Sequence, residues 1–464
     1  MKKILKYTLA AALICTAGTA HAQELRASYF SKTSNFRHQI NPALLDKAYV
    51  AQPFTGNINL GATGNVGLKN FVYKLNGNPD YDLTTFMSPT VDTKKFLGDL
   101  DSKNRLGVHV NYNIASVAFR GFGGFNLVEL NLRSNTQLNL PYELFSFMKE
   151  AGAHERYNIS DLGVRSQNYM ELAFGHSRAI NDRLNVGAKF KVLLGAAYAD
   201  MDVKNLNITM NDDKWILEGD ARLNTAVLKS KYELDDTPNE NTKPGMNKVE
   251  GLDDVSFGMP GFGLAVDLGA TYKVMDGLTV SGSITDLGFI SWSSNQAISA
   301  DKWEFDGFKD PIHVEGSDPN SQKLGDQFES IGDDLERMFS VYDNGKKSVL
   351  QGLAATINLG AEYEMPFYKN LTAGFLYTSR IEGIYSYHQG MLSANVRPLK
   401  WFEASINTSV SSTGWCWGGL LSFGHKGYNF FIGSDRIISK VNKQGIPMNS
   451  FNANVCLGFS FPLS

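Results

Sequence analysis

The residues that could carry out hydrolysis or bind a metal ion are scattered along this 464-residue sequence. Seven histidines lie beyond residue 22, and none is paired as in the H-E-x-x-H metal-binding motif. His176 precedes Ser177 in a predicted strand, where neighbouring side chains point to opposite faces. The acidic pair Asp253-Asp254 lacks the D-x-[DN]-x-[DN]-G pattern of a calcium-binding loop. We therefore predict that the chain is not an enzyme and has no catalytic residue, metal site or cofactor.

Charged side chains within apolar strands form a second set that could do chemistry. They are Lys189, Lys191, Asp267, Glu362 and Glu364. In a membrane-spanning strand, a charge that faces lipid at mid-depth costs about 2–4 kcal/mol for Lys or Arg. We therefore expect these five side chains to face the lumen or to lie near a membrane interface. In the lumen they either form an ion-pair network that fills it or bind a ligand.

Long amphipathic strands must position these charges. In the last of them, Ser450–Pro462, the apolar Val455 and Leu457 alternate with Asn454 and Cys456. A strand of about 9–11 residues crosses a bilayer at a tilt of about 45°, so this strand is long enough to do so. About fourteen such strands can be traced. The sequence predicts an all-β chain that forms a single closed antiparallel transmembrane β-barrel.

The predicted connections between strands separate by length. Tight turns near residues 121, 182, 276, 367, 399 and 426 fall at one end of the barrel. The long insertions 69–104, 134–167, 200–261 and 293–350 fall at the other end. Short periplasmic turns, long extracellular loops and an even strand number are typical of bacterial outer-membrane barrels. Within the loops, Pro141–Gly152 and the amphipathic stretch Asn320–Tyr342 predict short helices.

Six aromatic residues and two cysteines complete these predictions. Aromatic residues form girdles at both interfaces of such barrels. The six assigned to the girdles are Trp292, Trp401, Trp415, Trp417, Tyr377 and Tyr385. Cys416 and Cys456 are far apart in a chain of this size and are expected to be free thiols.

The N-terminus has the pattern of a secretory signal, with Lys2 and Lys3 before an apolar core and Ala20-His21-Ala22 as a cleavage site. The chain is therefore divided into a signal peptide (1–22), an N-terminal periplasmic or plug segment (23–54) and an outer-membrane β-barrel (55–464). A net charge of -3 gives no basic surface for nucleic acid. A hydrophobic content of 43% suits strands with one polar face.

Several stretches resemble a known family. They are Pro141–Gly152, Tyr169–Ser177, Leu184–Gly195 and Val266–Trp292. In these the chain resembles an uncharacterised family of outer-membrane barrels from Bacteroidota, a domain of unknown function related in architecture to the FadL- and PorV-type barrels. Asn41-Pro42-Ala43 also resembles the FadL type, whose N-terminal segment plugs the lumen. That resemblance implies a plug or ligand-binding role for Asn41, Pro42, Ala43 and Leu44.

The resemblance and the strand count imply two functions of different classes. The first is passive uptake of small hydrophobic molecules across the outer membrane, which predicts an apolar pocket under the plug. The second is a non-transporting barrel that docks protein partners through its extracellular loops, which predicts a lumen packed with side chains. An outer-membrane hydrolase is a third and weaker hypothesis. The expected partners are outer-membrane lipid, a small hydrophobic ligand and proteins bound by the loops, with no nucleic acid.

Overall fold

The computed structural model describes residues 25–53, 55–74, 83–211, 214–235, 245–300, 302–305, 340–425, 427–437 and 452–463. The predicted signal peptide lies outside the described residues. Residues 320–339 of the predicted helix Asn320–Tyr342 also lie outside the described residues. From Val341 onward the chain is a strand and not a helix. Within the described residues, no helix is long and apolar enough to cross a membrane.

The described residues form strands with a few short helices. The strands are β1 (Tyr49–Ala51), β2 (Ile58–Gly64), β3 (Val72–Lys74), β4 (Leu83–Thr85), β5 (Lys103–Gly121), β6 (Gly124–Pro141), β7 (Arg156–Ile159), β8 (Leu162–Ala179), β9 (Leu184–Met210), β10 (Trp215–Val227), β11 (Lys229–Leu234), β12 (Val249–Ser256), β13 (Gly261–Met275), β14 (Leu278–Ser299), β15 (Lys302–Phe305), β16 (Val341–Gly352), β17 (Ala355–Glu364), β18 (Leu371–Ile381), β19 (Tyr387–Leu399), β20 (Phe402–Ser411), β21 (Gly414–Gly424), β22 (Asn429–Ser434) and β23 (Ala453–Pro462). The helices are α1 (Leu68–Phe71), α2 (Thr93–Gly98) and α3 (Tyr142–Glu150), with short 3-10 helices at Arg26–Ser28, Arg37–Gln39, Pro42–Leu44 and Gly383–Tyr385.

Fourteen antiparallel wall strands form a closed barrel in the described part of the chain, as predicted. Two of them are each made of two pieces, β1 with β2 and β16 with β17, and β3, β4, β7, β10, β11, β12 and β15 lie in the long loops. The barrel closes where β23 pairs with β22 on one side and with β1 and β2 on the other. Closure leaves no unpaired sheet edge, which an open sheet would have to protect.

The wall strands alternate between an apolar outer face and a polar inner face. In β23, Val455 is 48% exposed and Leu457 is 37% exposed, whereas Asn454 and Cys456 are buried. This confirms the two faces predicted for the closing strand. A side-chain period of two explains the pattern, because the outside of the barrel and its lumen lie on opposite sides of every strand.

The long connections of the described chain follow β2, β6, β9 and β14, which end at the same end of the barrel. The predicted loop helix is present as α3, and it packs on α2 through the rings of Phe96 and Phe145. β9 is 27 residues long and continues beyond the wall to pair with β10. The loops at this end thus have their own packed structure.

Two of the six aromatic residues assigned to the interface girdles are placed differently. Trp292 is 0% exposed and stacks on Tyr198 in the interior, and Tyr385 is 5% exposed beside Arg165. Trp292 faces inward because it occupies an inner position of β14, opposite Gly261. The other four, Trp401, Trp415, Trp417 and Tyr377, are exposed. Neither Cys416 nor Cys456 forms a disulfide bond within the described residues, as predicted.

Truncation of the chain after Gly458 is expected to block barrel assembly. It removes Phe459, which pairs with β22, and Phe461, which pairs with Val50 of β1. The folded fraction, measured by heat-modifiable mobility in gel electrophoresis, should fall to a small part of that of the full chain. Removal of Ser464 alone is the control and should leave folding unchanged. Normal assembly of the longer truncation would contradict the importance of this closure.

Candidate functional site

Residues 25–47 run through the barrel lumen, and we call them the lumen segment. Most of their side chains are buried. Their polar contacts reach inner-face side chains on opposite sides of the wall, including Ser283 of β14, Glu403 of β20 and Ser460 of β23. The segment contains three 3-10 helices of three residues each, which are too short to present a repeating face. Its contacts with the wall therefore determine its position.

Two carboxylates of the wall hold the first half of the lumen segment. Asp435, just after β22, accepts hydrogen bonds from the backbone N–H groups of Arg26 and Ala27, both at 2.7 Å. Glu403 accepts hydrogen bonds from the N–H groups of Lys32 at 3.1 Å and Thr33 at 2.9 Å. Hydrogen bonds to a charged acceptor are about twice as strong as neutral ones. These two acidic residues are the main polar anchors of this half.

The predicted plug residues lie at the other end of the lumen segment. Asn41 caps the 3-10 helix Pro42–Leu44 by accepting a hydrogen bond from Ala43 N at 3.0 Å, and its Nδ2 donates to Tyr29 Oη at 3.0 Å. Asn185 of β9 donates a hydrogen bond to Ala43 O. Asn41, Pro42 and Ala43 are buried, whereas Leu44 is half-buried beside a recess. The structure brings all four together against the wall.

Glycines of the wall allow the lumen segment to approach closely. A Cβ atom at Gly269 would lie 2.0 Å from Asn41 Oδ1, and one at Gly187 would lie 2.3 Å from Pro42 C. Both distances are far shorter than a non-bonded contact. Only glycine at these two inner positions leaves room for the Asn-Pro turn.

Three of the predicted inward charges take part in a buried ion-pair cluster. Lys189 Nζ lies 2.6 Å from Glu129 Oε1, and Lys191 Nζ lies 2.8 Å from Asp267 Oδ2. The remaining pairs are Lys191 with Asp286 at 2.6 Å, Lys191 with Glu171 at 3.6 Å and Arg133 with Glu171 at 3.3 Å. The cluster joins five neighbouring strands, β6, β8, β9, β13 and β14. The position of the cluster favours an ion-pair network that fills the interior over a ligand-binding role for these three charges.

The other two predicted inward charges lie away from this cluster. Glu362 forms a salt bridge with Lys32 of the lumen segment, with Nζ and Oε2 2.7 Å apart. Glu364 lies on the same face of β17 but is exposed next to the tight turn. Glu362 thus contacts the lumen segment, whereas Glu364 is in solvent at the rim.

Two cavities adjoin these groups. A cavity of about 50 Å³ lies on the loop side and is lined by barrel residues only, among them His109, Arg133, Gln167, Tyr169, Asp286 and Arg380. A recess of about 200 Å³ lies on the short-turn side, between the lumen segment and the wall. Tyr29, Phe30 and Leu44 give this recess an apolar side, and Lys32, Arg37, Asp46 and Glu362 give it a charged side. Among the described residues, neither cavity is the wholly apolar pocket that uptake of a hydrophobic molecule predicts.

Lys47 connects the lumen segment to β1 and is held by polar contacts. Its Nζ donates hydrogen bonds to the carbonyl groups of Lys32 and Thr33. Burial, together with the neighbouring positive charge of Arg37, lowers the pKa of Lys47 to about 8. The buried amine is therefore satisfied by hydrogen bonds to these carbonyl groups and does not depend on a carboxylate partner alone.

The arrangement offers no pair of groups for nucleophilic catalysis at His176 and Ser177, the adjacent pair noted in the sequence. Ser177 is buried on the inner face of β8, and His176 Nδ1 lies 3.0 Å from Asn126 Oδ1. Histidine and serine here point to opposite faces. Within the described residues, no group of three or more His, Cys, Asp or Glu could hold a metal ion.

Several residues of this site were missed by sequence reasoning. They are Glu129, Arg133, Glu171, Asp286, Glu403 and Asp435. The first three and Glu403 lie on inner faces, and their polar strand context was a usable signal. Asp286 has a φ of 58° beside a register shift, and its N–H donates to Asp267 Oδ1 at 2.8 Å. Strand alternation alone cannot predict such a bulge.

Replacement of Glu403 by glutamine is expected to loosen the first half of the lumen segment. Loss of the charge weakens hydrogen bonds that are each worth about 1.5–3 kcal/mol. Amide hydrogen exchange at Lys32 and Thr33 should become roughly 30-fold faster, as expected for a loss of about 2 kcal/mol. Glu364→Gln is the matched control, because that carboxylate is exposed. Equal exchange in both variants would show that Glu403 is not an anchor.

Comparisons with known proteins give one family match and several similar folds. Residues 42–435 match the family described as "Family of unknown function (DUF5723)". The Ralstonia pickettii toluene transporter TbuX is 8% identical with a TM-score of 0.40, over 96% of each chain. The CymD monoaromatic hydrocarbon channel is 8% identical with a TM-score of 0.38, over 96% of this chain and 95% of that one. A Pseudomonas aeruginosa FadL homologue is 9% identical with a TM-score of 0.37, over 96% of this chain and 94% of that one. None of the curated proteins matches the chain.

Proposed function

The chain belongs to the DUF5723 family of unknown function, and we propose that it is an outer-membrane β-barrel for passive uptake of small hydrophobic molecules. In this proposal the lumen segment closes the barrel and moves to let the molecule pass. The observation that carries the proposal is the position of the segment, which occupies the lumen and leaves a recess of about 200 Å³ between itself and the wall.

The outer face of the wall supports a location in the outer membrane. Large apolar side chains are exposed along its strands, for example Leu264 on β13, Leu287 on β14 and Leu392 on β19. A soluble protein rarely exposes a continuous apolar surface of this extent. A closed barrel with such a band is one of the two structures that satisfy backbone hydrogen bonds in lipid.

The nature of the contacts supports a segment that can move. Apolar side chains such as Leu25 and Phe36 pack on the wall, but the polar contacts with Glu403, Asp435 and Glu362 can be exchanged for hydrogen bonds to water. No disulfide fixes it, because residues 25–47 contain no cysteine, and Cys416 and Cys456 of the described wall form no disulfide. The mixed lining of the recess favours a small hydrophobic molecule that carries a polar group.

Uptake by cells tests this proposal. A strain that lacks the gene is compared with the same strain supplied with the full chain, using a radiolabelled medium-chain fatty acid, an aromatic hydrocarbon and a disaccharide. The full chain should speed uptake of at least one hydrophobic probe and leave the disaccharide unchanged. Equal uptake of all three probes with and without the protein would overturn the proposal.

A second function is favoured by one specific observation, the polar filling of the lumen. The lumen segment and the ion-pair cluster occupy interior positions that a conducting pore would need to leave open. This supports a non-transporting barrel that binds protein partners through its packed extracellular loops. Cross-linking in intact cells tests it, since a partner should be captured in a fixed ratio and lost when the residues from α2 to α3 are replaced.

A further inference from the structure

A cleft lies on the outer wall of the barrel, near the loop end of β13, β14 and β16. It has a volume of about 570 Å³ and is lined by Met259, Pro260, Gly261, Phe262, Ser291, Ser293, Lys346, Lys347 and Ser348. Ser291 and Ser293 are exposed, while Trp292 between them is buried in the interior. The cleft therefore opens away from the lumen and is independent of the site described above.

The apolar outer face of the wall ends at this cleft. On β14, exposed Leu287 and Phe289 are followed by Ser291 and Ser293 at the next outer positions. On β16, Leu350 is 67% exposed and is followed toward the loops by Ser348 and Lys346. The change from apolar to hydroxyl to cationic side chains follows the order of acyl chain, ester and phosphate in a membrane lipid.

The two lysines have no acidic partner among the described residues. Both are exposed, neither forms a salt bridge in that part of the chain, and the lining of the cleft includes no carboxylate. Some exposed lysines in the loops are paired, for example Lys231 with Asp254 at 2.8 Å, so exposure alone does not prevent an acidic partner. A pair of such cations at the edge of an apolar surface matches a phosphate in charge.

The base of the hairpin β11–β12 extends the apolar side of the cleft. The hairpin packs on the outward side of β14, where Tyr232 Oη donates a hydrogen bond to Asn295 O at 3.1 Å. It returns to the wall through Phe257, which is 84% exposed, and Met259, which is 44% exposed. Contact with acyl chains would remove the apolar surface of these two side chains from water, which is favourable.

We propose that this cleft binds a phosphorylated glycolipid of the outer leaflet, of the lipid A class. Lys346 and Lys347 contact the phosphate, the serine hydroxyl groups donate hydrogen bonds to the head group, and the acyl chains lie on Phe262, Phe289 and Leu350. A membrane lipid fits better than a soluble anion, because the cleft is continuous with the apolar band. The inference rests on the outer-membrane location proposed above.

Lipid binding by the purified full chain in detergent tests this site. Native mass spectrometry measures the retention of diphosphorylated lipid A, of dephosphorylated lipid A and of inorganic phosphate. The double variant Lys346→Gln/Lys347→Gln should bind diphosphorylated lipid A roughly 25-fold more weakly, because each lysine near an anionic lipid surface contributes a factor of about five. Lys94→Gln/Lys95→Gln is the matched control, since these neighbouring lysines are also exposed in a loop.

The results distinguish phosphorylated lipid A from the other ligands that could bind in the cleft. Weaker binding by the first variant only, together with poor retention of dephosphorylated lipid A, supports the proposal. Equal effects of the two double variants would overturn it, and so would equal retention of both lipids or displacement of lipid A by millimolar inorganic phosphate. Cell fractionation tests the outer-membrane location separately, so failure of that premise can be distinguished from failure of the cleft.

Discussion

Replacement of Gly269 by valine is expected to displace the lumen segment and make the barrel conduct ions. The new Cβ would lie 2.0 Å from Asn41 Oδ1 and 3.0 Å from Pro42 Cδ. Asn41 is 0% exposed and cannot turn aside, because it caps the following 3-10 helix and holds Tyr29. The proline ring also fixes the backbone at the next position. The contact can therefore be relieved only by moving the segment.

The size of this effect follows from the cost of overpacking. Extra atoms in a well-packed interior cost about 1–3 kcal/mol, which raises the population of a displaced segment by roughly 5-fold to 150-fold. Planar-bilayer recordings should change from a silent baseline for the full chain to discrete conductance steps for Gly269→Val. Cells that produce Gly269→Val should also take up a large antibiotic faster than cells that produce the unchanged chain.

Gly390→Val is the matched control for this experiment. Gly390 also lies in a wall strand, but an added Cβ there meets nothing closer than Phe375 at 4.0 Å. It should remain silent in the bilayer. A silent Gly269→Val barrel with unchanged hydrogen exchange at residues 39–45 would mean that the close packing of Asn41 does not hold the segment.

The fold could be predicted because an apolar outside and a polar lumen impose a two-residue period on every wall strand. That period places Val455 outward and Cys456 inward, and it also places Lys189, Lys191 and Asp267 in the interior. The period did not lead to the correct position for Trp292, which was expected at a membrane interface. Its indole is buried because small residues opposite it, Gly195 and Gly261, leave room inside the wall.

The partners of the inward charges could not be predicted, because they depend on how strands align. Lys191 lies directly opposite Ala265 on β13, but its ion pair is with Asp267, two residues farther along. Asp286 reaches the same lysine only because of the backbone bulge at its position. The lumen segment has no period at all, so the sequence alone did not reveal Glu403 and Asp435 as its anchors.

Replacement of Lys191 by methionine is expected to destabilise the folded barrel more than the loss of any other single charge in the ion-pair cluster. Its amine is the shared partner of three carboxylates, Glu171, Asp267 and Asp286. Both Glu171 and Asp267 are 0% exposed, so removal of the cation leaves buried negative charges close to one another. Breaking a buried ion pair by removal of one partner costs about 3–5 kcal/mol.

Guanidinium unfolding of the lipid-reconstituted barrel, followed by tryptophan fluorescence, measures this loss. Lys273→Met is the matched control, because Lys273 pairs with Asp276 at 2.8 Å but both side chains are exposed at the rim. The control should unfold at nearly the same denaturant concentration as the unchanged chain, since exposed ion pairs contribute little. The double variant Lys191→Met/Asp267→Asn should recover part of the loss, because it removes one uncompensated carboxylate. If Lys191→Met unfolds like the control, the lumen is hydrated enough to screen the cluster, and a water-filled path through the barrel becomes the better interpretation.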